Sequence, residues 1–501
     1  MGKSFKWDKD GKVFISLASK NDGEQLFDET GLGSTGDGRA VSPIIPKRFV
    51  PGHGVIVMRQ QAVKTGVKIM DRITITDLIK QDGRIVGAIG ISADSYDTYI
   101  FKAKAVVICA GNAGIKTPGI RTVTTTGDGH AMAYRVGCEI TGKEWADNHP
   151  CRADFPAYPW TNIDRDHFVD KDKQMGNHGL PMYNAEGTRL ESIRRKTGSK
   201  TTGQMFDGLA YSFEAHAGRA PLYAAVMSGD RDFWPMNHSP KGFPRQEIDE
   251  TAMKQGRVRM TFGRALGQSH HLSDGIWPTN TNCETQVPGL YAAGDSLGAR
   301  PGYPMAGFAM AFCSVTGARA GVSAAQYALK TSKSEIDENE LARLKKIAWA
   351  PMERKGGFTP GWVTQAIRNI MTPYWVLYVK RADRLQAALT EIEFIRDNIV
   401  PKLTARDPHE LRLAHEVKSM ILHCEMKLKA SLFRTESRWT HYREDYPLRD
   451  DPSWLAWVKI KDENGVMKLS KEPVPQKWWP DLSLPYDERY PMVFPGEPGL
   501  E

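Results

Sequence analysis

Residues 286–317, QVPGLYAAGDSLGARPGYPMAGFAMAFCSVTG, constrain the fold more than any other stretch. A short apolar run, Gly289 to Ala293, stops at Gly294-Asp295. A loop rich in Gly and Pro follows, then a helix-like segment of small residues from Ala306 to Ala320. A strand that ends at a carboxylate beside a glycine-lined helix start can hold a ribityl or ribose hydroxyl while backbone N–H groups face an anion. The stretch reads as part of a flavin-nucleotide site.

The rest of the chain sets the frame. Its 501 residues allow two or three domains with real cores. Hydrophobic residues make up 41% and charged residues 25%, the balance of a globular protein, and no apolar run is long enough to span a membrane. The start, MGKSFKWDKDGKVF, lacks a secretory apolar region, and Lys6 breaks the myristoylation pattern. The net charge of +8 is spread out; its densest run, Arg194-Arg195-Lys196 near Lys200, lacks the interleaved aromatics of a nucleic-acid surface. A mildly positive field favours small anionic substrates. The six cysteines form no C-x-x-C pair, which argues for a reducing, cytoplasmic setting and against a metal or iron–sulfur site on this chain.

Local patterns divide the chain. The first fifty residues read as an irregular arm. Val55 to Lys64 reads as a helix closed by Gly66, and Val67 to Met70 and Ile73 to Ile79 as extended chain. Gln81-Asp82-Gly83-Arg84 signals a hairpin with Ile85 to Ile91 as the return strand. Ala105 to Cys109 is a further strand, ending in Ala110-Gly111-Asn112-Ala113-Gly114, where backbone can approach a flat ligand because no Cβ intervenes. Thr126-Gly127-Asp128-Gly129 opens a helix, His130 to Val136, capped by Gly137. From Trp145 to Gly267 periodicity is weak and Pro, Asn, Asp and aromatics are frequent, as in an inserted α+β domain. Trp375 to Ile395 and Glu410 to Leu432 carry helical apolar spacing, and the chain after Trp454 reads as an extended tail. A literal G-x-G-x-x-G at Gly31 to Gly36 follows a charged segment rather than a buried strand, and reads as a glycine loop.

Four segments in order carry a resemblance: AVVICAGNAG (Ala105 to Gly114), TTGDGHAMAYRVG (Thr125 to Gly137), NCETQVPGLYAAGD (Asn282 to Asp295) and ESRWTHYREDYPLRDDPSW (Glu436 to Trp454). Together they resemble the flavoprotein subunits of succinate dehydrogenase, fumarate reductase and adenylylsulfate reductase, and more distantly L-aspartate oxidase. The likeness runs from about residue 40 to 460, and the last segment looks closest to the adenylylsulfate reductase alpha branch. The resemblance implies an α/β fold. It would comprise an incomplete FAD-binding (glutathione-reductase-like) domain at 1–145 and 269–330, an inserted α+β capping domain at 146–268, a helical domain at 331–440 and an extended tail at 441–501. It also implies FAD as cofactor, with Ala110 and Gly111 near the adenosine–pyrophosphate part and Thr126 and Asp128 close to the flavin ring. Gly294-Asp295 would hold the ribityl chain, and the helix starting near Ala306 would aim its N–H groups at flavin N1/O2.

By the same resemblance His149, in EWADNHP, and His270, in SHHLSDGI, match the substrate ligands of the family. Where fumarate reductases place a substrate-binding Arg this chain has Pro304; Arg300, four residues earlier, is the candidate clamp. The implied reaction is hydride exchange between flavin N5 and a small anionic substrate, with electrons passed to or from an iron–sulfur partner. The βαβ unit that opens the family is not recognisable. The chain could then be a fragment, a separate chain could supply that unit, or the protein could be a flavin-free structural subunit.

Overall fold

The computed structural model describes residues 51–116, 125–146, 150–152, 182–187, 212–225, 257–262, 274–298, 308–438 and 440–489. The Gly31 to Gly36 motif lies outside them.

Helix α1 (Pro51–Lys64) leads to an antiparallel meander of β1 (Ile73–Gln81), β2 (Arg84–Ser92) and β3 (Thr98–Lys102). The expected turn is present: Asp82 and Gly83 both have left-handed φ, 50° and 76°, the conformation of a tight two-residue hairpin. Val67 to Met70, expected to be extended, joins no strand. Strand β4 (Val106–Ile108) pairs in parallel with β11 (Leu290–Ala292), and helix α2 (Asp128–Arg135) lies between them in sequence.

Strands β6 (Pro150–Arg152), β7 (Met182–Tyr183), β8 (Leu222–Ala225) and β9 (Arg257–Phe262) form an antiparallel sheet in the order β6-β9-β8-β7. Beside it, the helical turn 212–216 touches the C-terminal half of the chain. Phe213 meets Tyr442 edge-on with ring centroids 4.8 Å apart, and His216 Nε2 lies 2.7 Å from Glu444 Oε1.

Helix α3 (Phe308–Lys330) follows β11 and its turn. Next come α4 (Glu338–Glu353), α5 (Pro360–Met371), α6 (Tyr374–Leu377), α7 (Ala382–Phe394) and α8 (Pro408–Phe433). Asp407 caps α8 by accepting from Glu410 N at 2.8 Å, with Pro408 in the first turn. Helix α8 is buried on nearly every side and belongs to both main cores. Ala414, Val417 and Ile421 pack on α5 and α7; Met426 and Ala430 pack on the sheet side with Ile108, Leu290 and Ile460.

Two expectations fail for identifiable reasons. Trp375 to Ile395 is not one helix, because Val379–Lys380 (β12) leaves the helical path to pair with Tyr442–Arg443 (β13). The expected extended tail is instead a long hairpin, β14 (Ala456–Glu463) and β15 (Val466–Pro473). Its turn is Asn464-Gly465, both left-handed at 56° and 81°, a hairpin signal that the tail's Pro and Trp content outweighed in the reading. β14 also pairs with β5 (Ile140–Thr141), which pairs with β10 (Gly275–Ile276), so the tail completes an internal sheet. The whole is a mixed α/β fold with a C-terminal helical segment.

Candidate functional site

Strands β4 and β11 run side by side with Val106 opposite Leu290 and Ile108 opposite Ala292, so their carboxyl ends open at one place. Each is followed by a glycine with left-handed φ, Gly111 at 79° and Gly294 at 60°, where a side chain would be strained. The two turns are tied together. Ala293 N donates to Ile108 O at 2.9 Å, and Ser296 Oγ donates to Gly111 O at 3.1 Å. Helix α3 is fastened to the same point: Gly294 N donates to Thr316 Oγ1 at 2.9 Å, and that hydroxyl donates to Phe312 O at 2.6 Å. A crevice beyond the carboxyl ends of parallel strands is where open α/β sheets bind ligands.

The start of α2 forms the next wall. A Cβ on Gly129 would stand 2.6 Å from Ile108 Cγ2 and 3.0 Å from Ala110 Cβ, so only glycine lets the helix come this close to β4. The Asp128 carboxylate accepts from two hydroxyls, Thr126 Oγ1 at 2.6 Å and Ser419 Oγ at 2.7 Å, which joins the helix start to α8. His423, also on α8, places Nε2 2.8 Å from Gly127 O. Gly127 has φ 74°, and a Cβ there would lie 2.2 Å from that nitrogen. Gly127→Ala is therefore expected to destabilise the fold by about 2–3 kcal/mol, from strained backbone plus the displaced histidine. An unchanged denaturation midpoint would mean that His423 can withdraw freely.

Behind these walls lies a buried charged group. Lys143 Nζ is 3.1 Å from Asp274 Oδ2 and 3.1 Å from His130 Nδ1, and both members of the ion pair are buried. On the other side of the His130 ring, Nε2 is buried without a hydrogen-bond partner among the described residues. Burial lowers the Lys143 pKa, opposed by the charge and hydrogen bond of Asp274. Burial, and then the Lys143 charge, hold His130 well below its ordinary value, so its imidazole is neutral.

Of the residues expected at the site, Ala110, Gly111, Thr126, Asp128, Gly294 and Asp295 come together around this crevice. His149, His270, Arg300 and Ala306 lie outside the described residues. Ser296, Thr316, Ser419 and His423 were not anticipated. Ser296 adjoins Asp295 and could have been found by its neighbour; the two α8 residues carry no local signal.

The residues fit a flavin nucleotide. Ala110 is exposed and Gly111 half-exposed although both follow an interior strand, which leaves a stretch of backbone open to a ligand. Asn112 is 1% exposed, and its Oδ1 has no hydrogen-bond partner among the described residues, a cost that a bound polar group would remove. Asp295 stands half-buried at the same mouth. Among the described residues no group of three or more His, Cys, Asp or Glu side chains could hold a metal, and no helix is long and apolar enough to cross a membrane.

Comparison with known proteins gives matches at the level of the family. Residues 5–153 match a family model described as an FAD binding domain, and residues 364–490 match the fumarate reductase flavoprotein C-terminal model. One subunit of the fumarate reductase (CoM/CoB) of Methanothermobacter marburgensis is 26% identical over 426 residues, covering 82% of this chain and 73% of its own. The fumarate reductase flavoprotein subunit of Mycobacterium tuberculosis is 24% identical over 443 residues, covering 81% and 72%. Among solved structures, Mycobacterium smegmatis Sdh1 superposes with a TM-score of 0.71 at 21% identity, covering 99% of this chain and 82% of that one. Adenylylsulfate reductase from Archaeoglobus fulgidus gives 0.66 at 22% identity, covering 91% and 81%. The first model covers β4 and the start of α2, and the second covers helix α8 with the C-terminal hairpin; β11 and Gly294-Asp295 lie between the two matched ranges. The chain belongs to the flavoprotein superfamily of succinate dehydrogenase and fumarate reductase.

Proposed function

We propose that the chain is the flavoprotein component of an FAD-dependent oxidoreductase whose substrate is a small anion, with electrons passed to or from an iron–sulfur partner. The observation that carries the reading is the convergence of Gly111, Thr126, Asp128 and Gly294-Asp295 at the carboxyl ends of β4 and β11, beside the orphaned amide oxygen of Asn112. When bound, the flavin supplies hydride transfer at N5. The chain's own residues would bind and orient it: the Asp295 carboxylate would accept a hydrogen bond from a ribityl hydroxyl, and the backbone of Ala110 and Gly111 would face the nucleotide. Asn112 offers its Oδ1 to a donor group. His149, His270 and Arg300 are proposed to hold the substrate anion, through charge-assisted bonds.

The test is flavin binding. Purified protein is expected to carry or take up FAD with visible flavin absorbance, and to be reoxidised by a small dianion such as fumarate after reduction. Asp295→Ala is expected to weaken FAD binding about tenfold or more, the worth of one charge-assisted hydrogen bond. A colourless protein that takes up no FAD would establish the flavin-free structural role instead.

A further inference from the structure

We propose that Lys380 and Lys427 are positioning residues: they clamp residues 143–146, the root from which the chain enters the sheet β6-β9-β8-β7, and so fix that root to the helix that also holds the wall of the cofactor crevice. This rests on the proposed function for its substrate side. In sequence the root runs from α2 and β5 into β6, through the stretch that carries His149.

The root is held by lysine side chains rather than by a strand partner. After β5 the backbone turns at Gly142, whose φ is 74°, and Lys143 to Ala146 lie outside any ladder while wholly buried. Their carbonyls therefore need donors from elsewhere. Lys427 of α8 supplies two, with Nζ 2.5 Å from Trp145 O and 3.4 Å from Lys143 O. Lys380 of β12 supplies the one between, with Nζ 2.6 Å from Glu144 O. Thr440 Oγ1 accepts from Ala146 N at 3.2 Å, and Lys380 Nζ also lies 2.9 Å from His441 Nδ1. Both lysines are at most 2% exposed.

Burying two lysine side chains is costly unless their hydrogen-bonding capacity is used. Here a single Nζ spans two carbonyls two residues apart, and the second fills the gap between them from the opposite element. Three consecutive carbonyls are thereby referred to α8 and β12, which belong to the helical segment, not to the sheet that the root carries. The same helix α8 holds Asp128 and Gly127 of the crevice, through Ser419 and His423. One rigid helix thus sets both the cofactor wall and the entry to the sheet, which is how a substrate-side element keeps its register with a cofactor.

The test uses the full-length protein and two readouts. Amide exchange of Trp145 and Ala146 is expected to rise by about tenfold or more in Lys427→Met and in Lys380→Met. Met420→Ala, which opens a cavity on α8 roughly two turns before Lys427 and leaves both lysines in place, serves as control: it is expected to lower thermal stability without that local rise. Exchange in the two lysine variants no faster than in Met420→Ala at a matched loss of stability would overturn the clamp. The second readout is the affinity of the flavin-loaded protein for malonate, a small dianion, followed by flavin absorbance. It is expected to weaken about fivefold or more in Lys427→Met with FAD content unchanged. Faster exchange with unaltered malonate affinity would overturn the positioning role. If the wild-type protein binds no FAD, it is the proposed function that fails, and the exchange measurement still decides the clamp.

Discussion

Replacing Arg434 with methionine is expected to lower the stability of the protein by about 3–5 kcal/mol, the cost of leaving a buried carboxylate without its cation. Arg434 is 1% exposed at the end of α8 and joins three separate parts of the chain. Its Nε lies 3.0 Å from Glu144 Oε1, its Nη1 2.8 Å from Glu436 Oε1, and its Nη2 donates to Ala456 O at 2.7 Å. The guanidinium also stacks 5.0 Å and 5.1 Å from the ring centres of Trp145 and Trp454. The two carboxylates do not depend on it equally. Glu436 keeps Arg438, at 2.7 and 2.9 Å, and the Asp450 N–H at 2.9 Å. The Glu144 carboxylate has no such reserve among the described residues: its Oε2 is buried without a partner. Most of the loss should therefore belong to Glu144. Adding Glu144→Gln to the Arg434→Met variant removes the stranded charge and should restore a large part of the stability. Chemical denaturation of the wild type, both single variants and the double variant gives the coupling. Additive effects would show that the pair is not energetically linked.

This network also marks where reading the sequence stops. Turns and strand ends are local, and they were legible. Asp82-Gly83 set the β1–β2 hairpin, the glycines after Ile108 and Ala292 set the crevice, and Thr126 to Gly129 set the start of α2. The residues behind the crevice come from positions far apart in the chain. Lys143 meets Asp274, Glu144 meets Arg434, and Asp128 meets Ser419, pairings 131, 290 and 291 residues apart. Along α8, Lys427 and His423 look like ordinary helix-surface residues. Only the burial of that helix on almost all sides makes them interior. The break at Val379–Lys380 has the same cause: helical spacing is sound up to Leu377, and the strand that overrides it is paired with residues about sixty positions on. The tail is a different failure, because Asn464-Gly465 was a local signal in plain view.

Stability is expected to fall steeply below pH 6.5, by about 5 kcal/mol per pH unit, because four histidines are buried as neutral rings. His130, His423 and His441 are held well below the ordinary histidine value, and His415 is pushed down to about 3. Burial is the first cause in each. Nearby cations add to it: Lys143 for His130 and His423, Lys380 and Arg434 for His441, Lys418 for His415. The sign follows from proton counting. Below the unfolded value of 6.5 the unfolded chain binds a proton at each histidine and the native state does not, so stability is fully present above pH 6.5 and lost on acidification. Each site contributes about 1.4 kcal/mol per unit, and the four together exhaust an ordinary margin of about 5–15 kcal/mol within two or three units. The buried lysines act in the same direction further up the scale. Lys427 and Lys418 are lowered to about 8 by burial, so between that pH and their unfolded value of 10.5 the unfolded chain again holds more protons. Cysteines oppose them from about pH 9, since burial raises Cys138 to about 11 and the unfolded thiol ionises first. The optimum should therefore sit near pH ~8–9, above the usual range. Urea denaturation from about pH 5.5 to 9.5, with proton uptake measured on unfolding, reads this directly. His415→Gln keeps a donor for Ala348 O but cannot take a proton, and should reduce the acid slope by about one quarter. A flat profile between about pH 5.5 and 7 would mean that these rings meet solvent in the native protein.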